Sequence, residues 1–295
     1  MTPLVREITE KPWSTEDAFA YCERLTSSHY ENFPVASRLI PAKQRLHVSA
    51  IYAFARTADD FADEPGMTNA ERLEELRSWD RQLAACYSGE ARHPVFVALR
   101  RTVEEHQIPI ELLRALLQAF EADVTVHRYV TFEQVLGYCR NSANPVGRLV
   151  LLLFGYRDES LHRLSDDICT ALQLTNFWQD LRIDLERDRV YLPHEDLLRF
   201  AYTEAELFRR SFTPAFKALM AFEVERTDEL FRRGKPLLAE VGKDLRLELR
   251  LTWQGGREIL RLIRRQDFDV FRRRPKLSAR GKLKILFTAL FGGVP

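Results

Sequence analysis

Along most of its length the chain places apolar residues every three to four positions, the spacing that builds one face of an α-helix. The pattern predicts helices over 14–26, 44–64, 69–87, 94–106, 110–127, 132–154, 161–185, 213–241 and 243–265. Ser14-Thr-Glu-Asp17 is a capping box at the start of the first. Pro65-Gly66 stops the second, Gly89 the third, and prolines introduce the two that follow. Pro34 and Pro41 exclude a continuous helix over 28–41, and Asn144-Pro145 interrupts 132–154. No useful β alternation, Gly-x-Gly-x-x-Gly, repeat or linker occurs. The expectation is one all-α domain spanning 1–295, a helical bundle.

Two of these helices carry acids where apolar residues are the rule. The first ends in Asp59-Asp60-Phe61-Ala62-Asp63, after the apolar run 49–58. Residues four apart share a helix face about 6 Å apart along the axis, so Asp59 and Asp63 project together while Asp60 points about a quarter-turn away. The second repeats the same step as Asn176, Asp180 and Asp184. Carboxylates crowded in this way repel unless a cation neutralises them, and an all-oxygen set suits Mg²⁺ shared with phosphate. Two such helices facing each other would clamp a diphosphate. Arg56, one turn before Asp60, offers a forked donor, and Gln173 lies close enough to join the second face.

Tyr52-Ala-Phe-Ala-Arg56-Thr-Ala-Asp59-Asp60-Phe-Ala-Asp63 resembles the first aspartate-rich motif of the squalene and phytoene synthase family. Gln173-Leu-Thr-Asn176-Phe-Trp-Gln-Asp180-Leu-Arg-Ile-Asp184, followed by Arg187-Asp-Arg189-Val-Tyr191-Leu-Pro193, resembles the second, and Tyr138-Cys139 with Val146-Gly147 the segment between. The resemblance runs from about 28 to 193. It implies the isoprenoid synthase fold, helices around a deep central cavity. It implies Mg²⁺ on Asp59, Asp63, Asn176, Asp180 and Asp184; on helix geometry Asp60 is a lesser ligand. Diphosphate contacts are implied at Arg56, Gln173 and Arg189, with Tyr191 near them. His29, Asn32 and Phe33 belong to the irregular stretch that should roof the site. Tyr138 is implied in the cavity; Phe33, Tyr52, Phe54 and Phe177 are further aromatic candidates for lining a carbocation.

Departures from the family pattern narrow the expectation. Glu31 and Asn32 stand where many relatives carry a Ser-x-Ser-Phe-type segment, and an acid there would repel a second diphosphate. Asn144-Pro145 replaces a common Ala-Gly pair. Both features resemble the hopanoid-associated branch that converts presqualene diphosphate into hydroxysqualene. Pro145 has no amide hydrogen, so the Asn141 carbonyl loses its helical partner; that carbonyl and the Asn144 amide would hold the quenching water. Alternatives are a squalene, dehydrosqualene or presqualene diphosphate synthase condensing two farnesyl diphosphates. A third is a non-catalytic lipid-binding or assembly factor, which the filled acidic positions disfavour. A di-iron bundle is disfavoured, since it needs two helical Glu-x-x-His pairs and Glu90-Ala-Arg-His93 is wedged between Gly89 and Pro94.

Composition adds compartment and surface. With 45% hydrophobic and 29% charged residues, and no apolar run long enough to span a bilayer, a cytoplasmic protein is expected. Residues 1–12 contain no signal-peptide core. Cys22, Cys86, Cys139 and Cys169 show no Cys-x-x-Cys, so buried reduced thiols are expected. The histidines other than His29 read as surface or capping residues. Net charge is only +1, yet residues 257–295 hold eleven Lys or Arg against Glu258, Asp267 and Asp269. That basic, partly apolar tail, about 266–295, points to peripheral binding on the anionic inner membrane face in preference to nucleic acid.

Overall fold

The computed structural model describes residues 12–28 and 40–291, which form fourteen helices and no strand. They divide into two compact units, residues 1–125 with 148–157, and residues 126–147 with 158–295. His29, Asn32 and Phe33 lie outside the described residues.

The first unit is built from α1 (Thr15–Ser28), α2 (Ala42–Asp63), α3 (Asn69–Ser88), α4 (Pro94–His106) and α5 (Ile110–Thr125). Local chemistry sets most of these ends. Asp17 N donates to Ser14 Oγ at 3.1 Å, as the sequence pattern predicts. Thr68 and Glu71 form a reciprocal capping box on α3, and Gly89 closes that helix in the left-handed conformation. The core is aromatic. Trp79 is 1% exposed, packs against Phe54, Phe61, His93 and Phe96, and donates its indole N–H to Phe54 O. Phe54, a candidate for lining a carbocation, is therefore a core residue.

The second unit holds α6 (Phe132–Ser142), the first turn of α7 (Asn144–Leu153), α8 (Glu159–Glu186), α9 (His194–Arg199), α10 (Glu204–Phe208), α11 (Pro214–Gly234), α12 (Leu237–Glu240), α13 (Lys243–Arg265) and α14 (Ala279–Phe291). The long helix α8 packs chiefly against α11, where Trp178 donates to Thr227 Oγ1 at 2.8 Å. At the same contact a Cβ on Gly234 would stand 2.8 Å from Leu164 O, so only glycine permits this approach.

Several expectations are corrected. The helix expected over 213–241 ends at Gly234 and restarts at Leu237, because Pro236 cannot continue the hydrogen-bond ladder. The short helices α9 and α10 and the terminal α14 escape the periodicity analysis. His47, His93 and His162 are buried, not on the surface, although His93 does cap α4 by accepting from Val95 N. Burial pushes the His47 and His93 imidazoles down to about 4. Burial pushes all four thiols up to about 12, and none is paired, as expected of inert cysteines. Among the described residues no helix is long and apolar enough to cross a membrane.

Candidate active site

The first acidic stripe closes α2. Arg56 donates from Nη1 to Asp59 Oδ2 at 3.1 Å and from Nη2 to Asp60 Oδ1 at 2.5 Å, bridging the i,i+3 and i,i+4 positions. Asp59 and Asp60 are equally accessible, with side chains 42% and 43% exposed. Across the expected quarter-turn one guanidinium spans both carboxylates. Asp63 is exposed at the helix end. Tyr52 is half-buried one turn before Arg56, and burial raises its phenol pKa.

The second stripe lies in the C-terminal half of α8, where the uninterrupted helix puts Gln173, Asn176, Asp180 and Asp184 on one face. Asn176 Nδ2 donates to Asp180 Oδ2 at 3.0 Å. Asp184 is more enclosed: burial, and then the Asp180 charge, push its carboxyl up to about 7, against the pull of Arg189, Arg187 and Arg274. An oxygen-only set with surplus negative charge is one that a hard cation such as Mg²⁺ fits.

Sequence reasoning missed Arg274. Its Nε and Nη2 engage both carboxylate oxygens of Asp180, the Nη2 to Oδ2 distance being 2.8 Å. Gln179 Nε2 anchors the same segment by donating to Pro275 O at 2.5 Å. Arg274 was counted with the basic tail because it lies 94 positions from Asp180 and shares no local pattern with it.

The turn after α8 carries the next functional residues. Arg187 N and Arg189 N both donate to Asp184 O, folding the chain back over the helix end. Asp188 takes a left-handed φ of 56°, and Arg128 Nη2 holds its carboxylate at 2.5 Å. Val190 N donates to His127 O and His194 N to Tyr129 O, each at 2.9 Å. This short parallel pairing lays Tyr191 beside Tyr129.

The result is an aromatic cluster adjoining the second stripe. Phe177 and Tyr191 stack at 3.7 Å, nearly parallel, and Tyr138 meets them at 5.9 and 5.8 Å. Tyr129 completes the group, 6.0 Å from Tyr138 and 5.8 Å from Tyr191. Three residues singled out from sequence thus come together, with Tyr129 an addition. Stacked aromatic faces of this kind favour a cation above them.

Asn144 begins α7 and faces α8. It is 8% exposed, and its Oδ1 accepts from Thr170 Oγ1 at 2.9 Å. An amide oxygen accepts two hydrogen bonds, so this contact occupies one of its two lone pairs. Nearby, Gly147 lets α7 approach α8, since a Cβ there would meet Ser165 Oγ at 2.3 Å and Cys169 Sγ at 2.5 Å.

Comparison with known proteins points to one family. The family model for squalene/phytoene synthase matches residues 26–281. The hydroxysqualene synthase of Rhodopseudomonas palustris is 38% identical over 75% of this chain and 75% of its own. The phytoene synthase of Arthrospira platensis is 29% identical over 93% of each chain. The crystal structure of squalene synthase HpnC from Alicyclobacillus acidocaldarius superposes with a TM-score of 0.82 at 40% identity, covering 86% of this chain and 95% of that one. With its helical isoprenoid synthase fold, its two aspartate-rich motifs and these relatives, the chain belongs to the squalene/phytoene synthase family.

Proposed function

We propose that this enzyme converts presqualene diphosphate and water into hydroxysqualene and diphosphate. The observation that carries the reading is the stack of Phe177, Tyr191 and Tyr138 adjoining Asn176, Asp180 and Asp184. Each acidic stripe would hold Mg²⁺, Asp59 and Asp63 with Asp60 beside them in the first unit and Asn176, Asp180 and Asp184 in the second; the ion, when bound, supplies Lewis-acid neutralisation of the leaving diphosphate. Arg56, Gln173, Arg189 and Arg274 bind and orient the diphosphate oxygens. Loss of diphosphate breaks the carbon–oxygen bond and leaves a cation that rearranges to the product skeleton, while the aromatic faces stabilise it and burial excludes stray water. Water then forms the new carbon–oxygen bond and its proton passes to the departing diphosphate. Asn144 contributes its amide N–H to positioning that water. Similarity to the hydroxysqualene synthase of Rhodopseudomonas palustris supports the choice of product.

The test is separate incubation with presqualene diphosphate and with farnesyl diphosphate, with product analysis. Hydroxysqualene from the first and no C30 product from the second is expected. A C30 hydrocarbon or presqualene diphosphate from farnesyl diphosphate refutes the reading. That outcome favours a condensing synthase, the alternative for which the longer alignment with a phytoene synthase speaks.

A peripheral membrane role is proposed for α14. Leu283 and Phe287, one turn apart, are 68% and 64% exposed, and Leu286 is 38% exposed. Arg280, Lys282 and Lys284 are exposed beside them, and the helix has no acid. Such a surface fits an anionic bilayer, at about 1 kcal/mol per basic residue near the surface. Truncation before Ala279, which spares Arg274, should release the protein from anionic vesicles while preserving turnover in detergent. Unchanged vesicle binding, or binding to nucleic acid alone, overturns the assignment.

A further inference from the structure

Outside the acidic stripes, within the first unit, the start of α2 meets the end of α4 around His47, Glu105 and His106. His47 is 4% exposed. Thr102 Oγ1 gives its hydrogen to Ala98 O at 3.0 Å, so toward His47 Nδ1, also at 3.0 Å, it acts as acceptor. That bond sets the tautomer: Nδ1 carries the hydrogen and Nε2 carries the lone pair. Nε2 stands 3.8 Å from Glu105 Oε1. The His106 ring meets the His47 ring edge-on at 4.4 Å, and its enclosed Nε2 has no hydrogen-bond partner. One ligand atom from each of the three residues lies within 4.8 Å of the others.

We propose that His47, Glu105 and His106 form a binding site for a borderline divalent transition-metal ion, Zn²⁺ above all. Two imidazoles and one carboxylate suit Zn²⁺ and not Mg²⁺, which prefers oxygen alone. The Thr102 bond on the far side of His47 is the kind of support that orients a ligating histidine. Bonds of about 2.0–2.1 Å require the ligand atoms to close in. Glu105 and His106 lie in the last turn of α4, just before Gln107 turns left-handed at φ 52°, so the adjustment is confined to one helix turn. Two cations share Glu105 now: Lys43 Nζ at 2.8 Å from Oε1 and Arg101 Nη2 at 3.1 Å from Oε2. Their side chains are 71% and 57% exposed and free to swing into water. The ion displaces the Lys43 ammonium and ties α2 to α4, and water completes its shell.

The test is Zn²⁺ titration of metal-stripped full-length protein in excess Mg²⁺, which keeps all-oxygen sites filled. Co²⁺ serves as spectroscopic probe. One equivalent of Zn²⁺ should bind and raise Tm. His106→Gln and Glu105→Gln should each lose at least tenfold in affinity and abolish the Tm rise, while Asp180→Asn keeps both. Lys43→Met should bind Zn²⁺ more tightly, because the competing ammonium is gone. No Zn²⁺ binding in excess Mg²⁺, or wild-type affinity in His106→Gln, overturns the site; unchanged affinity in Lys43→Met overturns the displacement. His106 and Glu105 are only partly buried, so their variants should fold, and circular dichroism checks this.

Discussion

Arg274→Gln tests the assignment of the second stripe as a metal site. Arg274 engages both oxygens of Asp180, so an ion on Asp180 competes with a guanidinium. A pair of unit charges about 4 Å apart is worth roughly 4 kcal/mol at an effective dielectric of about 20 and roughly 1 in water. The Arg274 side chain is 32% exposed and that of Asp180 18%, which places the pair between those limits. Desolvation and side-chain ordering leave a net of about 1–2 kcal/mol. Removing the competitor should therefore tighten Mn²⁺ binding, used as a probe for Mg²⁺, by roughly fivefold to thirtyfold. The same change should lower the metal-free Tm, with recovery on adding Mn²⁺. It should also lower kcat/KM, since a diphosphate contact is lost. Free Mn²⁺ measured by electron paramagnetic resonance reads the affinity directly. Mn²⁺ affinity that is unchanged or weaker in Arg274→Gln refutes the reasoning. The pH sign is fixed as well. Asp184 is pushed up to about 7, so its contribution to metal-free stability is present below its ordinary range and lost as pH rises through 7. Metal binding expels that proton, and Mn²⁺ affinity should rise between pH 6 and 8.

Asp59→Asn should abolish turnover while leaving circular dichroism unchanged, and Asp60→Asn should be milder; equal loss would show that the bridging Arg56 makes the pair one functional unit. Arg226 contacts both Asp196 at 2.8 Å and the fully buried Glu223 at 2.7 Å, and one cation cannot neutralise two buried carboxylates. Burial pushes Glu223 up to about 8, so its contribution is present at low pH and lost as pH rises through 8. Wild type should then lose urea stability between pH 7 and 9.5 and Glu223→Gln should lose less; parallel losses would contradict this. In α13, a Cβ on Gly255 meets nothing within 4 Å, whereas on Gly256 it would meet Phe231 at 2.5 Å and Leu172 at 2.8 Å. Thermal melts should show Gly255→Ala stabilising by about 0.5–1 kcal/mol and Gly256→Ala destabilising by about 1–3 kcal/mol.

Helix identity and the acidic motifs were legible in the sequence because both depend on spacing within a few residues. The 3.6-residue period, the Ser14 cap and the Pro and Gly stops placed most helices within a few positions of their ends. The step of four that aligns Asn176, Asp180 and Asp184 needed only an unbroken helix. The short helices α9 and α10 were missed because five or six residues hold too few turns for a period to emerge. What required the tertiary structure are the contacts between residues far apart in the chain. Arg274 reaching Asp180, Tyr129 beside Tyr191 and Thr170 engaging the Asn144 oxygen have no local signature. Burial, which lifts Asp184 and hides His47, depends likewise on how much of the chain surrounds a side chain. Local sequence determines backbone hydrogen bonding and the face on which each residue sits. Solvent access and the partner of a charge are set only when the helices pack.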